Sequence, residues 1–211
     1  MTRIFPLIFI LLWSSAFITT KPIIDNSDPF AALAFRFFFV AIGFYLFSLY
    51  SKQSIIVKKK NLVESVFSGV LFHGFYLGGV FFSISIGMPT GIAALIVTLQ
   101  PILTNTLSGP ILGEKVTLKQ WIGVLLGFIG AALVLGLDVG SEIPLFGLLA
   151  TIVALIAITA STIWQKKLSN NLPLSVSNFY QAIGGCSFHI LIIIIFTKPY
   201  IVFSQTFIIA M

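Results

Sequence analysis

The sequence predicts an all-α, polytopic integral membrane protein whose transmembrane helices form a bundle. Three observations support this: 58% of the 211 residues are hydrophobic, only 9% are charged, and the charges fall in short clusters between long apolar runs. A soluble domain carries about 25% charged residues. Seven runs approach the roughly 20 residues that a helix needs to cross a hydrocarbon core of about 30 Å. A soluble enzyme, a nucleic-acid-binding module and a disordered chain are therefore excluded.

Each apolar run is predicted to be a helix, because a transmembrane β-strand would alternate in polarity over about 10 residues. The predicted spans are residues 4–20, 29–50, 62–87, 90–112, 118–137, 143–164 and 175–196. Asp28 followed by Pro29 is typical of a helix start, with a capping side chain and then a proline in the first turn. Residues 199–211 are too few to cross the bilayer, and we expect them to be the start of an eighth span or a segment lying on the membrane surface.

The lysine and arginine residues predict an orientation for these spans. The loops on one side hold nine of the twelve basic residues: Arg3, Lys52, Lys58, Lys59, Lys60, Lys115, Lys119, Lys166 and Lys167. The loops on the other side hold only Lys21 and Lys198. Basic loops remain in the cytoplasm, so the N-terminus is expected to be cytoplasmic. The net charge of +6 is then explained by contact with lipid headgroups, and no nucleic-acid partner is needed.

The first span has a competing interpretation as a signal peptide. Arg3, the apolar stretch and Ser14-Ser15-Ala16 resemble the start, the core and the small-residue cleavage site of such a peptide. The apolar run continues to Thr20, beyond the usual length of a signal-peptide core. A retained span is therefore favoured, and the downstream topology is the same in both cases.

The chain also carries a weak internal repeat. Pro29 falls on Pro173 at an offset of 144 residues, and in both places a span, a short polar connection, a proline and another span follow in order. Five spans separate the copies, so the copies have opposite orientations, which is typical of secondary transporters. Two full copies need about 288 residues, whereas the chain has 211. We expect residues 1–140 to be a complete five-helix repeat and residues 141–211 an incomplete second one.

Motifs in the first five spans resemble the drug/metabolite transporter superfamily, in particular its EamA-type branch of ten-helix carriers. They are Trp13 with Phe17 and Lys21, Phe35-Arg36-Phe37, Gly87-Met88-Pro89 before Ala93-Ala94-Leu95, Pro101, Leu112-Gly113-Glu114, and Gln120 with Gly123 and Gly127. The resemblance covers residues 13 to about 130 well and residues 144–196 weakly. Ser14 stands where the family often has glycine, and the last three helices of the family are missing from this sequence.

The resemblance implies a multi-pass carrier in the bacterial inner membrane, commonly an exporter of amino acids or other small metabolites, with two five-helix halves around a central cavity. Its partners are the lipid bilayer and a small-molecule metabolite, and it implies no cofactor and no metal. The missing helices leave an alternative open: a truncated, inactive fragment, or a half-transporter completed by a homo-oligomer or another chain. On this alternative we expect the chain alone to export nothing.

Candidate substrate-binding residues follow from polar positions inside the spans, where polar groups are costly. In the fourth span Gly91, Ala94, Thr98, Pro101, Asn105 and Ser108 fall within an arc of about 100°. Pro101 has no N–H, so the carbonyl of Val97 loses its helical donor and is available to a polar substrate. Two interpretations remain open for this stripe: a substrate site with Thr98, Pro101 and Asn105, or a close-packed helix interface.

The third span carries a second stripe of Ser65, Gly69, His73, Tyr76 and Ser83 within about 80°. His73 lies near the middle of the span, where an imidazole can donate or accept a hydrogen bond and can carry a proton. The alternative is a histidine that bonds to a neighbouring helix. Trp13 lies deeper than the other tryptophans and is the remaining candidate to face a substrate. The glycines Gly74, Gly78, Gly123, Gly127 and Gly130 are predicted to form helix contacts.

Three charged residues are candidates for a gate or a cavity mouth. Arg36 is within the second span. It either attracts anionic or carboxylate-bearing substrates, pairs with Asp25 or Asp28, or extends its charged end outward to the membrane surface, and pairing is favoured. Lys21 lies at the outer end of the first span, where it is also a plausible membrane anchor. Glu114 follows the fourth span beside Lys115, as a gate or as an anchor.

Two other classes of membrane protein fit the sequence less well. A seven-helix receptor or a light-driven pump has its N-terminus outside, opposite to the lysine count, and a retinal pump needs a lysine in the last helix, which residues 175–196 lack. A membrane enzyme needs ionisable side chains at catalytic or metal-ligand spacing, and the sequence offers no such cluster.

Overall fold

The computed structural model describes residues 4–113, 115–135, 142–168, 172–196 and 198–211, and this part of the chain is almost entirely helical. Its helices are α1 (Phe5–Ile24), α2 (Pro29–Tyr50), α3 (Lys59–Ser85), α4 (Thr90–Leu112), α5 (Leu118–Leu135), α6 (Leu145–Leu168), α7 (Leu174–Phe196) and the short α8 (Gln205–Ala210). Among the described residues, α2, α3, α4, α6 and α7 are long and apolar enough to cross a membrane. The predicted fold class, a polytopic helical membrane bundle, is confirmed.

Local capping explains where two of the helices begin. The carboxylate of Asp28 accepts a hydrogen bond from the backbone N–H of Ala31 at 2.8 Å, and Pro29 occupies the first turn of α2, as predicted. α5 starts with a capping box that the sequence analysis missed: the N–H of Thr117 donates to Oε1 of Gln120, and the N–H of Gln120 donates to Oγ1 of Thr117.

α3 contains an irregular middle section. Residues Val70–Leu77 form a π-helix between two α-helical ends, Lys59–Gly69 and Gly78–Ser85. A π-helix turns less per residue than an α-helix, so side chains beyond the section rotate relative to those before it. The predicted stripe on this span assumed 100° per residue, and its members consequently face different neighbours.

α4 is interrupted at Thr98 and Leu99, between helical segments Thr90–Val97 and Gln100–Leu112. Pro101 lies in the first turn of the second segment, where its missing N–H is tolerated. The N–H of Leu99 donates to Ile96, three residues back, so the chain tightens at the break. The break thus lies directly before the segment that Pro101 helps to start, and a free carbonyl at Val97 stays a prediction. α4 ends at Gly113, whose φ of 70° is the left-handed conformation that glycine adopts readily.

Helix α7 packs between α2 and α3, and glycines let the backbones of α3 and α7 come very close. A Cβ added to Gly69 would lie 2.1 Å from the carbonyl oxygen of Gln181, and one added to Gly184 would lie 2.4 Å from that of Val66. Such close crossings are a common device of membrane helices, which lack a hydrophobic driving force for association.

Hydrogen bonds between buried side chains connect α3, α6 and α7. Ser68 and Ser161 are both fully buried, and their hydroxyls are 3.1 Å apart. The amide of Gln165 donates to the side-chain carbonyl of Gln181 at 3.0 Å, and Gln181 in turn donates to Ser177 at 3.0 Å. Polar groups inside a bundle are retained when each finds a partner on a neighbouring helix.

The last described segment folds back on the connection between α1 and α2. The N–H of Asp28 donates to the carbonyl of Tyr200, the N–H of Val202 donates to Asn26, and Ser204 donates to the side chain of Asn26 at 2.8 Å. Phe207 on α8 is 1% exposed. Residues 198–211 therefore form an extended strap and one short helix docked on α1. Assignment of residues 1–140 and 141–211 to two inverted repeats stays a prediction.

Candidate functional site

A cavity of about 910 Å³ lies beside the break in α4, between α1, α3, α4, α5 and α6. Its wall consists of Trp13, Phe72, Ala94, Val97, Thr98, Gln100, Pro101, Asn105, Gln120, Gly123, Val124, Gly127, Phe128, Ile158 and Thr162. This volume is at the upper end of the range for small-molecule pockets, and its mix of apolar surface and few polar groups is typical of them.

The polar groups of this cavity come mainly from α4, α5 and α6. The amide of Gln100 donates to Thr104 at 3.0 Å and to Thr162 at 3.3 Å, which ties the second segment of α4 to α6. The hydroxyl of Thr98 donates to the carbonyl of Leu95 at 2.6 Å. The side-chain amide of Asn105 has no hydrogen-bond partner among the described residues and lines the cavity, so it is available to a ligand.

Four of the predicted substrate-binding residues are brought together here. Trp13, Thr98, Pro101 and Asn105 all line the cavity. The predicted stripe on α4 thus faces open space along most of its length, and Ser108 at its end is buried. Gln100 and Thr162 were not predicted, and Gln120 was named only as a family motif residue and not as a site residue. Glutamines at a helix break and at a helix start are themselves a signal of polar exposure inside a span.

The glycines of α5 do not form the helix contacts that were predicted for them. Gly123, Gly127 and Gly130 have no other atoms within 4 Å of where a Cβ would lie, so they make no close helix contact in the described structure. Gly123 and Gly127 border the cavity instead. Gly74 and Gly78 do form the predicted contact face, against Phe188 and His189 of α7 respectively.

A second, smaller cavity of about 170 Å³ adjoins the first. It is lined by Trp13 and Thr20 of α1, Arg36 of α2, and Phe72, Tyr76, Leu77, Val80 and Phe81 of α3. Trp13 and Phe72 line both cavities. Tyr76, the predicted candidate on α3, is 3% exposed and belongs to this smaller cavity.

The charged candidates have separate environments. Lys21 forms an exposed ion pair with Asp25, one helical turn away. The guanidinium of Arg36 lies over the ring of Phe81, 5.7 Å from its centroid, and forms no ion pair with a described residue. The favoured interpretation of Arg36 as a partner of Asp25 or Asp28 is not what the structure shows, because those carboxylates bind Lys21 and cap α2. Glu114 lies outside the described residues.

His73 faces away from both cavities, toward α2 and α7. The centroid of its ring lies 4.3 Å from that of Phe37. A Cβ added to Gly185 of α7 would lie 2.4 Å from the Cβ of His73. His189 of α7 is fully buried, and its Nε2 is 2.9 Å from the carbonyl oxygen of His73. Since a carbonyl only accepts, Nε2 of His189 carries the proton. The two histidines therefore belong to the contact between α3 and α7.

A third cavity of about 190 Å³ continues from the large one toward the end of α4. Asn105, Gln120 and Thr162 line both, and Lys115 and Lys166 lie at the far side. The polar wall thus extends from the break in α4 to a basic end of the bundle.

Comparison with known proteins gives matches to membrane transporters. The model of the EamA-like transporter family matches residues 3–136 of this chain. An uncharacterised transporter of Bacillus subtilis, YvbV, is 27% identical over 161 residues, which are 71% of this chain and 51% of that protein. A probable amino-acid metabolite efflux pump of Salmonella typhimurium is 24% identical over 168 residues, covering 79% of this chain and 54% of the pump. The chain thus spans about half the length of these relatives.

A solved crystal structure has a similar fold, with a TM-score of 0.69 at 16% identity. The match covers 93% of this chain and 73% of that one. At this identity the likeness concerns the fold alone, and it supports the helical architecture described above.

Proposed function

The chain belongs to the EamA-like transporter family, and we propose that it carries small metabolites such as amino acids out of the cell by alternating access. The family match and the apolar helices show a multi-pass membrane protein that belongs to a family of small-molecule transporters. The substrate, the direction and the mechanism are our proposal.

The observation that carries the proposal is the cavity of about 910 Å³ at the break in α4. A discontinuous helix exposes backbone polar groups only where it lines a cavity, and transporters bind substrates at such breaks. Asn105 offers an amide without a partner among the described residues, and Trp13 offers an aromatic face. Together they suit a small molecule that has both polar and apolar parts.

We further propose a bacterial inner-membrane location with the N-terminus in the cytoplasm. The support is the distribution of the basic residues. Nine of them, including Lys115 and Lys166, lie in the loops on one side of the predicted spans. On this orientation the third cavity is the cytoplasmic entrance, and its lysines attract anionic groups toward the polar wall.

A second candidate function is a half-carrier completed by another chain. It is favoured by the open glycine face of α5, where Gly123, Gly127 and Gly130 meet no other atoms within 4 Å of a Cβ position. Small residues let helices approach closely, so this face suits a helix of a second copy or of a partner protein.

Counterflow in proteoliposomes tests both candidates. Vesicles with the purified chain are loaded with an unlabelled amino-acid mixture, and entry of labelled amino acids is followed. We expect counterflow that falls about tenfold in Asn105→Ala, since a lost polar partner costs on the order of 1–3 kcal/mol. Thr106→Ala is the matched control, because Thr106 is exposed and bonds only to the carbonyl of Ile102. Absence of counterflow would contradict the first candidate and is the result that the half-carrier predicts for the chain alone, whereas counterflow by the chain alone would contradict the half-carrier.

A further inference from the structure

We propose that Arg36 binds the carboxylate of the transported molecule in the smaller cavity, with the remainder of the molecule in the large one. This inference rests on the proposed function, and it assigns a substrate class: small molecules with a carboxylate and an apolar body.

The first step is the charge of Arg36. An arginine within a membrane span is costly unless it is paired or faces a cavity. Arg36 lines the smaller cavity and forms no ion pair with a described residue, and three of the described carboxylates have other neighbours. Asp25 pairs with Lys21, Asp28 caps α2, and Glu64 lies 4.0 Å from Lys60. A ligand carboxylate entering the cavity would therefore supply the missing counter-charge.

The second step is the presentation of the guanidinium. Its carbon is 5.7 Å from the centroid of the Phe81 ring, a cation–π distance. Aromatic contact stabilises the guanidinium while its N–H groups, which lie in its own plane, remain able to bind a carboxylate through two hydrogen bonds. The side chain is thus held ready for a planar anion.

The third step is the adjacency of the two cavities. The smaller cavity, about 170 Å³, is below the usual size of a complete ligand pocket. Trp13 and Phe72 line both it and the large cavity. The two cavities therefore meet at this aromatic pair, and on the proposal the carboxylate lies beside Arg36 while the body lies against Trp13 on the side of the large cavity. The aromatic side chains of Trp13, Phe72 and Tyr76 at this boundary favour an apolar body.

The test is calorimetric titration of the purified full-length chain in lipid nanodiscs, with empty nanodiscs subtracted. The probes are 3-phenylpropionate and 3-phenylpropan-1-ol, which share one body and differ in the carboxylate. We expect the wild type to prefer the carboxylate. Arg36→Gln should weaken carboxylate binding about tenfold or more and leave alcohol binding unchanged, because hydrogen bonds to charged groups are the strong ones.

Two further variants separate recognition from folding. Arg36→Lys keeps the charge and should retain the preference for the carboxylate, and Lys198→Gln, which removes an exposed cation outside the predicted spans, should behave as wild type. The proposal is overturned if Arg36→Gln keeps the preference, if it weakens both probes equally, or if the wild type shows no preference.

Lipid headgroups are the other source of an anion at Arg36. Nanodiscs with and without anionic lipid should therefore give the same preference, and its loss in anionic lipid would mean that a headgroup occupies the site, which contradicts the proposal. Because binding is measured without transport, failed counterflow with a preserved preference would contradict the proposed function and leave this inference intact.

Discussion

The indole of Trp13 packs edge-to-face against the ring of Phe72, with the ring centroids 6.4 Å apart and the planes at 65°. These two residues join α1 to the π-helical section of α3 and form the wall shared by the large cavity and the cavity of Arg36. A change at this pair therefore alters both cavities at once.

Replacing Trp13 by alanine should weaken ligand binding without unfolding the chain. Trp13 is 38% exposed, so it contributes more to the cavity wall than to the core. An aromatic contact is worth about 0.5–1.5 kcal/mol, which corresponds to a dissociation constant for 3-phenylpropan-1-ol about 2- to 12-fold higher. Calorimetry measures this change. Trp164→Ala is the control, since Trp164 makes an equivalent contact with Phe67, away from the cavity; equal losses in both variants would argue against the assignment.

Gly69→Ala should destabilise the bundle strongly. The added Cβ would lie 2.1 Å from the backbone oxygen of Gln181, so α3 and α7 must move apart. Overpacking of this kind costs about 1–3 kcal/mol. The free energy of unfolding in mixed detergent–SDS micelles reports it. Gly127→Ala, where no atom lies within 4 Å, should have no such cost, and a Gly69→Ala variant as stable as Gly127→Ala would refute the close crossing.

Asp28→Ala should remove the cap of α2. The carboxylate of Asp28 bonds to the N–H of Ala31 at 2.8 Å and is 8% exposed. Loss of such a cap costs about 0.5–2 kcal/mol. The same SDS titration should show this loss for Asp28→Ala and little change for Asp28→Asn, because asparagine also caps. Asp25→Ala is the exposed control, and an effect as large as that of Asp28→Ala would contradict the capping role.

Gln165 and Gln181 should be energetically coupled. Their side chains meet at 3.0 Å between α6 and α7 in a partly buried setting. Interhelical hydrogen bonds in membranes average about 0.6 kcal/mol, with values up to about 1.7 kcal/mol. A double-mutant cycle with Gln165→Ala and Gln181→Ala measures the coupling. The pair Gln165 and Gln205, which lie on α6 and α8, should show none; a coupling of zero for the first pair would show that the bond is not formed.

Much of the fold could be predicted because the decisive signals are local. Apolar runs identified the spans, Asp28 and Pro29 identified the start of α2, and Pro101 identified the disturbed part of α4. The π-helical section of α3 could not be predicted, since no proline or glycine pattern marks it uniquely. Because a π-helix turns less per residue, the spacing of 100° does not hold in this section, where His73 faces α7 and Tyr76 lines the smaller cavity.

The site was only partly predictable, because helical periodicity shows which residues share a face and does not show what that face meets. The spacing of the α4 stripe is compatible with a cavity wall and with a helix contact, and only the positions of the neighbouring helices distinguish the two. The glycines of α5 had the spacing of a contact face and nevertheless border open space. Arg36 was expected to pair with Asp25 or Asp28, but both carboxylates have nearer partners in their own segments.

The most direct test of the central claim, that the cavity at the break of α4 is the substrate passage, is cysteine accessibility. Cys186 is the single cysteine, so Cys186→Ser gives a cysteine-free background. Asn105→Cys lines the cavity. Leu107→Cys is the control: it lies two residues along the same span, outside the cavity wall and on the surface of the bundle, where lipid should exclude a polar reagent. We predict that a water-soluble, membrane-impermeant thiol reagent modifies residue 105 in proteoliposomes, that residue 107 stays unmodified, and that added substrate protects residue 105. A cysteine at 105 as inert as one at 107 would contradict the passage.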